Sequence, residues 1–286
     1  MTLFLTEEEV ENLLDMRSTL DAVEEILRQQ AEGRATNRVR RRVGLPKSGL
    51  NVMFAGAPEI GALGLKAYTV ARTGAASGVA TKHLARGDAT TLGLYGAGWQ
   101  AESQLEAIAA VRDLTRVIVH SRSEESRKQF AEKMSVRLGM EVETTHSADE
   151  PAAQDIVVTA TSAKEPVLLG EWLRPGAHVN AAGSNFLFKS EIDREVVRRA
   201  SFVCVDSREE LGLEAGDLLN PLETGLILPE AIYELGQVIA GQIKGREGPE
   251  DITLFASQGL ALEDMAAARV VYDRAVERDV GREIEF

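Results

Sequence analysis

A glycine-rich turn follows a short apolar stretch at residues 92–95. Its spacing is Gly-x-Gly-x-x-Ala, and a helical pattern of apolar residues comes directly after it. Gly96 allows a tight turn, Gly98 lets the backbone approach a pyrophosphate, and the small Ala101 permits close packing of a helix on a strand. The N-terminus of that helix adds N–H groups and a partial positive charge, which favour an anion. The turn therefore predicts a dinucleotide-binding site formed by Gly96, Ala97, Gly98, Trp99 and Gln100.

The same turn could serve a purely structural purpose, because glycine loops without a ligand are common. A strand before the turn, a helix after it and a second strand at residues 116–120 together favour the nucleotide site.

The residues after that second strand bear on which nucleotide would bind. In an NAD site the second strand usually ends in an acidic residue that holds the ribose 2′-hydroxyl. Here Ser121 and Arg122 stand in its place. A guanidinium pairs with a phosphate in a bidentate way, and no carboxylate would repel it. The pattern favours NADP(H), with NAD(H) as the alternative; Arg122 could also be a solvated loop residue.

Strands alternate with helices from residue 90 onward, which is typical of a parallel sheet with crossover connections. One helix should begin after Ser123 and end at Gly139, and another is expected at residues 229–244. The predicted strands of this Rossmann-type domain are residues 92–95, 116–120, 142–145, 156–160, 178–182 and 202–205.

The predicted fold class is α/β, with a doubly wound parallel sheet and a smaller α+β domain. We place the NAD(P)-binding domain at residues 87–249. Both chain ends, residues 1–86 and 250–286, would form the domain for substrate binding and dimerisation. That domain would include a strand at 252–256 and a helix at 262–276.

Composition excludes several classes of protein. The chain has 286 residues, of which 44% are hydrophobic, enough for two domains. Its net charge of −13 argues against nucleic acid or an anionic membrane as a partner. The single cysteine, Cys204, cannot form an internal disulfide, and the four histidines lack metal-ligand spacing. We expect a cytoplasmic protein, because no signal peptide or membrane-spanning stretch is recognisable. We also expect no metal, and a homodimer as the oligomeric state.

Four further segments form a recognisable set: residues 64–66 (Gly-Leu-Lys), 72–77 (Arg-Thr-Gly-Ala-Ala-Ser), 183–185 (Gly-Ser-Asn) and 189–193 (Lys-Ser-Glu-Ile-Asp). Together with the glycine turn they resemble the ornithine cyclodeaminase/mu-crystallin family over nearly the whole chain. Its members include ornithine cyclodeaminase, alanine dehydrogenase and ketimine reductases. The resemblance implies hydride transfer between a nicotinamide and the α-carbon of an amino acid or its imine.

The resemblance also implies roles for individual residues. Lys66 corresponds to the active-site lysine, and Arg42 and Arg72 to the cations that hold the substrate carboxylate. For Arg42 the neighbouring Arg38, Arg40 and Arg41 are competitors. For Lys66 to act as an acid or base near neutral pH, nearby cations or burial must lower its pKa.

Cofactor contacts follow from the same resemblance. Thr73 corresponds to a phosphate ligand, Thr161 and Ser162 are expected to line the cofactor cleft, and Ser257 and Gly259 are expected to contact the nicotinamide.

Two departures from the family pattern affect the predicted reaction. Asn185 stands where ornithine cyclodeaminases carry an aspartate, and an amide is not a useful proton acceptor at neutral pH. Family members also place a few dozen residues between the lysine and the arginine motif, whereas Lys66 and Arg72 are six positions apart here. Either this chain carries a deletion that impairs activity, or a segment is missing between Val70 and Ala71.

The predicted function is reduction of the C=N bond of a small α-imino acid, or oxidation of the matching L-amino acid, with Asn185 orienting the substrate. One alternative is an ornithine or lysine cyclodeaminase that uses bound NAD. A second is a non-catalytic NADPH-binding protein of the crystallin kind.

Overall fold

The computed structural model describes residues 2–45, 48–68, 74–184 and 186–285, and for residues 42–45, 48–50 and 68 it describes the backbone alone. The chain divides into two compact units. The terminal unit comprises Met1–Val70 and Leu260–Phe286, and the central unit comprises Ala71–Gly259. The central unit therefore begins before and ends after the predicted boundaries at 87 and 249. Within the described ranges, no helix has both the length and the apolar character that crossing a membrane requires.

In chain order the helices and strands are β1 (Thr2–Phe4), α1 (Glu7–Leu13), α2 (Met16–Ala31), β2 (Thr36–Leu45), β3 (Ser48–Ala57), β4 (Ala62–Tyr68), α3 (Ala75–Leu84), β5 (Thr91–Tyr95), α4 (Trp99–Ala109), β6 (Arg116–His120), α5 (Glu124–Leu138), β7 (Val142–Thr144), β8 (Ile156–Thr159), β9 (His178–Ala181), α6 (Arg194–Arg199), β10 (Ala200–Val205), α7 (Leu211–Glu214), α8 (Gly216–Glu223), β11 (Ile232–Glu234), α9 (Leu235–Ile239), β12 (Ile252–Ala256), α10 (Ala261–Arg278) and β13 (Arg282–Ile284).

The central unit is built on an eight-stranded parallel sheet in the order β11-β10-β12-β9-β8-β5-β6-β7. The chain runs from β5 through β6 to β7 on one side and then returns to β8 and β9 on the other. The strand order thus reverses between β5 and β8, which is where doubly wound sheets bind their ligands. The predicted Rossmann-type fold is confirmed.

Local signals fixed helix α5 as predicted. The Ser123 side chain accepts a hydrogen bond from the backbone N–H of Ser126 at 3.2 Å, and Gly139 ends the helix in the left-handed conformation at φ +66°. The apolar residues of the strands are buried on both faces of the sheet. Buried strands of this kind are typical of a parallel sheet covered by helices.

Two predictions that concern the central unit were wrong: the domain to which the strand at residues 252–256 was assigned, and the helix at residues 229–244. Residues 252–256 were assigned to the terminal domain, but β12 lies inside the large sheet between β9 and β10. All five of its residues are buried, as expected for a strand covered on both faces. Residues 229–244 do not form one helix. A 3-10 turn at Pro229–Ala231 leads into β11, and a capping box of Glu234 and Gln237 starts the short helix α9 only afterwards.

His178 lies at the centre of a buried polar network in the large sheet. Its Nδ1 is 2.9 Å from Thr253 Oγ1 and its Nε2 is 3.3 Å from Asn180 Oδ1. Asn180 donates in turn to Thr81 Oγ1 at 3.0 Å. Burial, together with the charge of Arg246, lowers the pKa of His178 to about 3. The imidazole is therefore neutral in the folded protein near neutral pH.

This shift predicts a loss of stability in acid. Below about pH 6.5 the unfolded chain binds a proton at residue 178, whereas the folded chain does so only near pH 3. As the pH is lowered below 6.5, protonation of His178 in the unfolded chain should therefore reduce the free energy of unfolding, by up to ~1.4 kcal/mol per pH unit. Denaturant titrations from pH 7 to pH 5 on the parent and on His178→Gln would measure it. The free energy of unfolding should depend more steeply on pH in the parent than in the variant. The same dependence in both proteins would contradict a lowered pKa of His178.

The terminal unit contains a three-stranded antiparallel sheet in the order β2-β3-β4. Burial alternates along β3, where Met53, Ala55 and Ala57 are buried and Phe54 is exposed. Helix α10 packs against β3, β4 and α2. At the chain ends β1 pairs with β13, and a capping box of Thr6 and Glu9 begins α1.

Candidate functional site

A cleft of about 950 Å³ opens in the central unit at the carboxyl ends of β5, β6 and β8. It lies where the strand order reverses. Its lining includes nine of the residues predicted to bind the cofactor: Gly96, Ala97, Gly98, Trp99, Gln100, Ser121, Arg122, Thr161 and Ser162. The fold thus gathers at one edge residues that are up to 66 positions apart in the sequence.

The two glycines of the turn meet different requirements. Gly96 has φ +113°, and a Cβ there would lie 2.3 Å from the carbonyl oxygen of Ala160, directly after the neighbouring strand β8. Gly98 has extended backbone, and a Cβ there would have no neighbour within 4 Å. Gly96 is therefore required by the fold, whereas Gly98 leaves space at the start of α4.

That space suits the pyrophosphate of a dinucleotide. Helix α4 begins at Trp99 without a hydrogen bond from a capping side chain, so its first turn presents backbone N–H groups to the cleft. Ala101 is fully buried where the helix packs on the sheet. Gln100 holds the helix start in place, because its Nε2 donates to the Ala182 carbonyl beyond β9 at 2.9 Å. The residues present fit a nicotinamide dinucleotide.

The end of the cleft beside β6 is lined by His120, Ser121, Arg122, Ser123 and Ser126, none of which carries a carboxylate. The Arg122 side chain is exposed at this end. Arg127, which is almost fully buried, donates to the Ser121 carbonyl and approaches His146 Nδ1 at 2.8 Å. Hydroxyl groups and a guanidinium therefore surround the position where an NAD site would have its acidic residue.

The opposite side of the cleft is organised by Glu191, a residue whose role the sequence did not indicate. One carboxylate oxygen accepts the N–H of Thr161 after β8 at 2.5 Å, and the other accepts the N–H of Gly183 after β9 at 2.6 Å. Glu191 is fully buried, and burial raises its pKa. A Cβ at Gly183 would lie 2.5 Å from the carboxylate, which explains the glycine.

A second buried carboxylate holds the loop after β12. Asp206 Oδ2 accepts the N–H groups of Gln258 and Gly259, at 2.5 and 2.7 Å, and the Ser257 hydroxyl at 3.2 Å. Ser257 and Gly259 are buried there and do not belong to the lining of the cleft beside β5. Their predicted contact with the nicotinamide stays a prediction.

Lys66 lies in the terminal unit, opposite Met53 of β3 in register. Its Nζ forms an ion pair with Asp264 of α10, and both line a pocket of about 680 Å³ between β4 and α10. On the other side of Met53, the buried Arg40 places Nε 3.4 Å from Met53 Sδ. The pocket thus has Lys66 at its wall with a carboxylate partner, Asp264, that sequence reasoning missed.

Several predicted residues fall elsewhere. Arg42 pairs in register with Asn51 of β3, and its side chain is outside the described atoms. Arg72, Thr73 and Asn185, with the Val70–Ala71 junction, lie outside the described residues. Cys204 is buried and is not part of a disulfide. Over the part of the chain that the structure describes, no group of three or more histidine, cysteine, aspartate or glutamate side chains is placed to hold a metal ion.

Comparison with known proteins adds independent findings. The model of the ornithine cyclodeaminase/mu-crystallin family matches residues 66–279. A Δ1-pyrroline-2-carboxylate reductase of Bacillus thuringiensis is 44% identical over 220 residues, which are 76% of this chain and 67% of that protein. An alanine dehydrogenase of Archaeoglobus fulgidus is 35% identical, with 100% of this chain and 98% of that protein covered.

The alanine dehydrogenase alignment is 321 positions long against a chain of 286 residues, so that relative has residues without a counterpart here. Among solved structures, the Thermococcus litoralis Δ1-pyrroline-2-carboxylate reductase in complex with NADH and L-proline superposes with a TM-score of 0.94 at 34% identity. The match covers 99% of this chain and 100% of that one.

Proposed function

The chain belongs to the ornithine cyclodeaminase/mu-crystallin family, and on that premise we propose that it is a nicotinamide-dependent oxidoreductase acting on the C=N bond of a small α-imino acid, or on the matching L-amino acid in reverse. The observation that carries the proposal is the cleft at the strand-order reversal. There Gly98 leaves space beside the start of α4, which has no side-chain cap. Relatives named as imine reductases and alanine dehydrogenase support the reaction class.

The bound dinucleotide would supply or accept the hydride, and the residues of this chain would hold it and the substrate. The start of α4 would bind the pyrophosphate, and the loops after β8 and β9 would lie on the nicotinamide side. The Lys66 ammonium offers a cation for the substrate carboxylate and a proton for the imine nitrogen. Arg42 and Arg72 would add cations for the carboxylate, Asn185 would orient the substrate, and Thr73 would contact a phosphate.

Consumption of reduced cofactor tests the proposal. Purified protein would be incubated with NADPH or NADH and with cyclic imines such as Δ1-pyrroline-2-carboxylate, or with pyruvate and ammonia, while the absorbance of the reduced nicotinamide is followed. Oxidation with at least one imine is expected. Cofactor binding without oxidation of any imine would favour a non-catalytic binding protein. Release of ammonia and proline from ornithine without net cofactor turnover would favour a cyclodeaminase.

We further propose a preference for NADP(H), supported by Arg122 and the serines at the β6 end of the cleft. Arg122→Glu should weaken NADPH binding about 10- to 100-fold, because it removes a charge-assisted contact with the 2′-phosphate and adds a repelling charge. Calorimetric titration of the variant with NADPH and NADH would measure this. NADH affinity serves as the internal control and should change little. Equal affinities of parent and variant for NADPH would remove Arg122 from the site.

We also propose that two copies of the chain form a homodimer through the terminal unit. Leu63 and Leu65 of the edge strand β4 are 91% and 61% exposed, and Tyr272 and Val276 of α10 are also exposed. Exposed apolar residues on an unpaired strand edge are typical of an interaction surface. Sedimentation equilibrium tests this, with a mass twice that of one chain as the expected result.

A further inference from the structure

The position of Glu191 relative to the sheet suggests a specific role. The cleft has two halves, because β5 is followed by β6 on one side and bordered by β8 on the other. In a doubly wound dinucleotide fold, the second strand carries the residues that meet the adenosine ribose. That half corresponds to the β6 end here, so the loops after β8 and β9 belong to the nicotinamide half. The two carboxylate oxygens of Glu191 accept backbone N–H groups, one from each of these two loops.

We propose that Glu191 is a positioning residue for the nicotinamide half of the cofactor: its buried carboxylate holds the loops after β8 and β9 at the spacing that the nicotinamide riboside requires. The inference rests on the proposed function, because it presupposes a dinucleotide in the cleft. Thr161, which donates its N–H to Glu191, lines that cleft directly. The carboxylate therefore acts on the ligand through Thr161, while its bond to Gly183 ties the loop after β9 to the same group.

Hydrogen bonds from the segment around Glu191 to Asp217 restrict the position of the Glu191 side chain. Asp217 Oδ1 accepts the backbone N–H of Glu191 at 2.6 Å, the N–H of Ile192 at 3.2 Å and the Ser190 hydroxyl at 3.1 Å. These bonds fix the backbone from which the Glu191 side chain extends. The absent Cβ of Gly183 leaves the space that the carboxylate fills. Asp217 thus fixes the backbone of Glu191, and both carboxylate oxygens of Glu191 accept hydrogen bonds from the two loops.

A glutamine cannot reproduce this arrangement. Two N–H donors from different loops need two acceptor atoms, and a glutamine side chain offers one acceptor and one donor. In Glu191→Gln one of the two loops would face an N–H group instead of an oxygen. That loop would move away, and the spacing across the nicotinamide half would change.

Asp155 provides a matched control at the opposite edge of the same sheet. It directly precedes β8, and its Oδ2 accepts the N–H groups of Thr90 and Thr91 at 3.1 Å each. Its other oxygen accepts from Arg86 at 2.7 Å. Asp155→Asn makes the same carboxylate-to-amide change in a residue that ties two strands together, but at the amino ends of the strands, away from the cleft lining.

The experiment compares two ligands on the parent, Glu191→Gln and Asp155→Asn. NADPH carries the nicotinamide, whereas 2′-phospho-ADP-ribose lacks it; NADH and ADP-ribose form the equivalent pair. Dissociation constants would come from calorimetry and melting temperatures from thermal unfolding. Glu191→Gln should weaken NADPH binding about tenfold or more and leave 2′-phospho-ADP-ribose binding unchanged. Asp155→Asn should lower the melting temperature and leave the ratio of the two affinities unchanged.

Two results would overturn the inference: equal affinities of Glu191→Gln and the parent for NADPH, or an equal loss for both ligands in Glu191→Gln. The second result would mean that Glu191 supports the unit as a whole. Failure of the premise, a dinucleotide in the cleft, is distinguishable, because the parent protein itself would then bind none of the four ligands. Failure of the reductase activity alone would appear in the imine assay and would leave this binding comparison intact.

Discussion

Gly98→Glu is expected to fold like the parent protein and to lose at least about a hundredfold in affinity for NADPH. A Cβ at this position would meet no atom within 4 Å, so the new side chain has room to extend into the cleft. Its carboxylate would occupy the space before the first turn of α4, where the helix N-terminus attracts the pyrophosphate. The loss therefore combines blocked space with charge repulsion. Calorimetric titration with NADPH and a thermal melt of the variant measure the two quantities.

Gly96→Ala is the matched control, because it changes the neighbouring glycine of the same turn. Its methyl group would lie 2.3 Å from the Ala160 carbonyl oxygen, at a residue with φ +113°. This variant should be destabilised as a fold, in contrast to Gly98→Glu. If Gly98→Glu binds NADPH as tightly as the parent, the start of α4 does not hold the pyrophosphate.

Lys66→Met is expected to reduce kcat for imine reduction by about a hundredfold or more, because it removes the proposed proton donor. It should leave the dissociation constant for NADPH unchanged, since the cofactor cleft lies within the central unit and Lys66 within the terminal unit. Methionine keeps much of the apolar length of the side chain, so the wall of the pocket beside β4 is retained. Steady-state kinetics with a cyclic imine, together with calorimetry for the cofactor, separate the two effects.

Asp264→Asn provides the comparison for Lys66→Met. It removes the ion-pair partner and retains the lysine, so a smaller loss of kcat is expected than for Lys66→Met. If Lys66→Met turns over the imine at the parental rate, Lys66 has no part in the chemistry. If Asp264→Asn loses as much kcat as Lys66→Met does, the reaction needs the ion pair rather than the proton of Lys66.

The elements that could be predicted from the sequence are those with local signals. Ser123 and Gly139 bracket α5 because a side-chain cap and a left-handed glycine act within one turn of the helix. The apolar run before Gly96 ends in a turn with recognisable spacing, and the residues of this turn line the cleft. Residues 252–256 were assigned to the wrong unit because a buried strand has the same apolar sequence pattern whichever sheet contains it. Its position between β9 and β10 depends on partners distant in sequence.

The carboxylates that organise the candidate sites show the same limit. Glu191 is 30 residues from Thr161, Asp206 is 52 residues from Gln258, and Lys66 is 198 residues from Asp264. No periodicity or cap connects such pairs, so only the folded chain shows them together. Lys66 itself was singled out through family resemblance, and its role in the reaction stays a prediction.

The fit between Gly183 and Glu191 constrains how this sequence can change over evolutionary time. Any side chain at residue 183 would collide with the carboxylate, and loss of the acid at residue 191 would leave two partly buried N–H groups without their acceptor. A substitution at either position is therefore harmful while the other keeps its present identity. A side chain at residue 183 becomes tolerable only together with a change at residue 191, so the effect of that substitution depends on the residue at the other position.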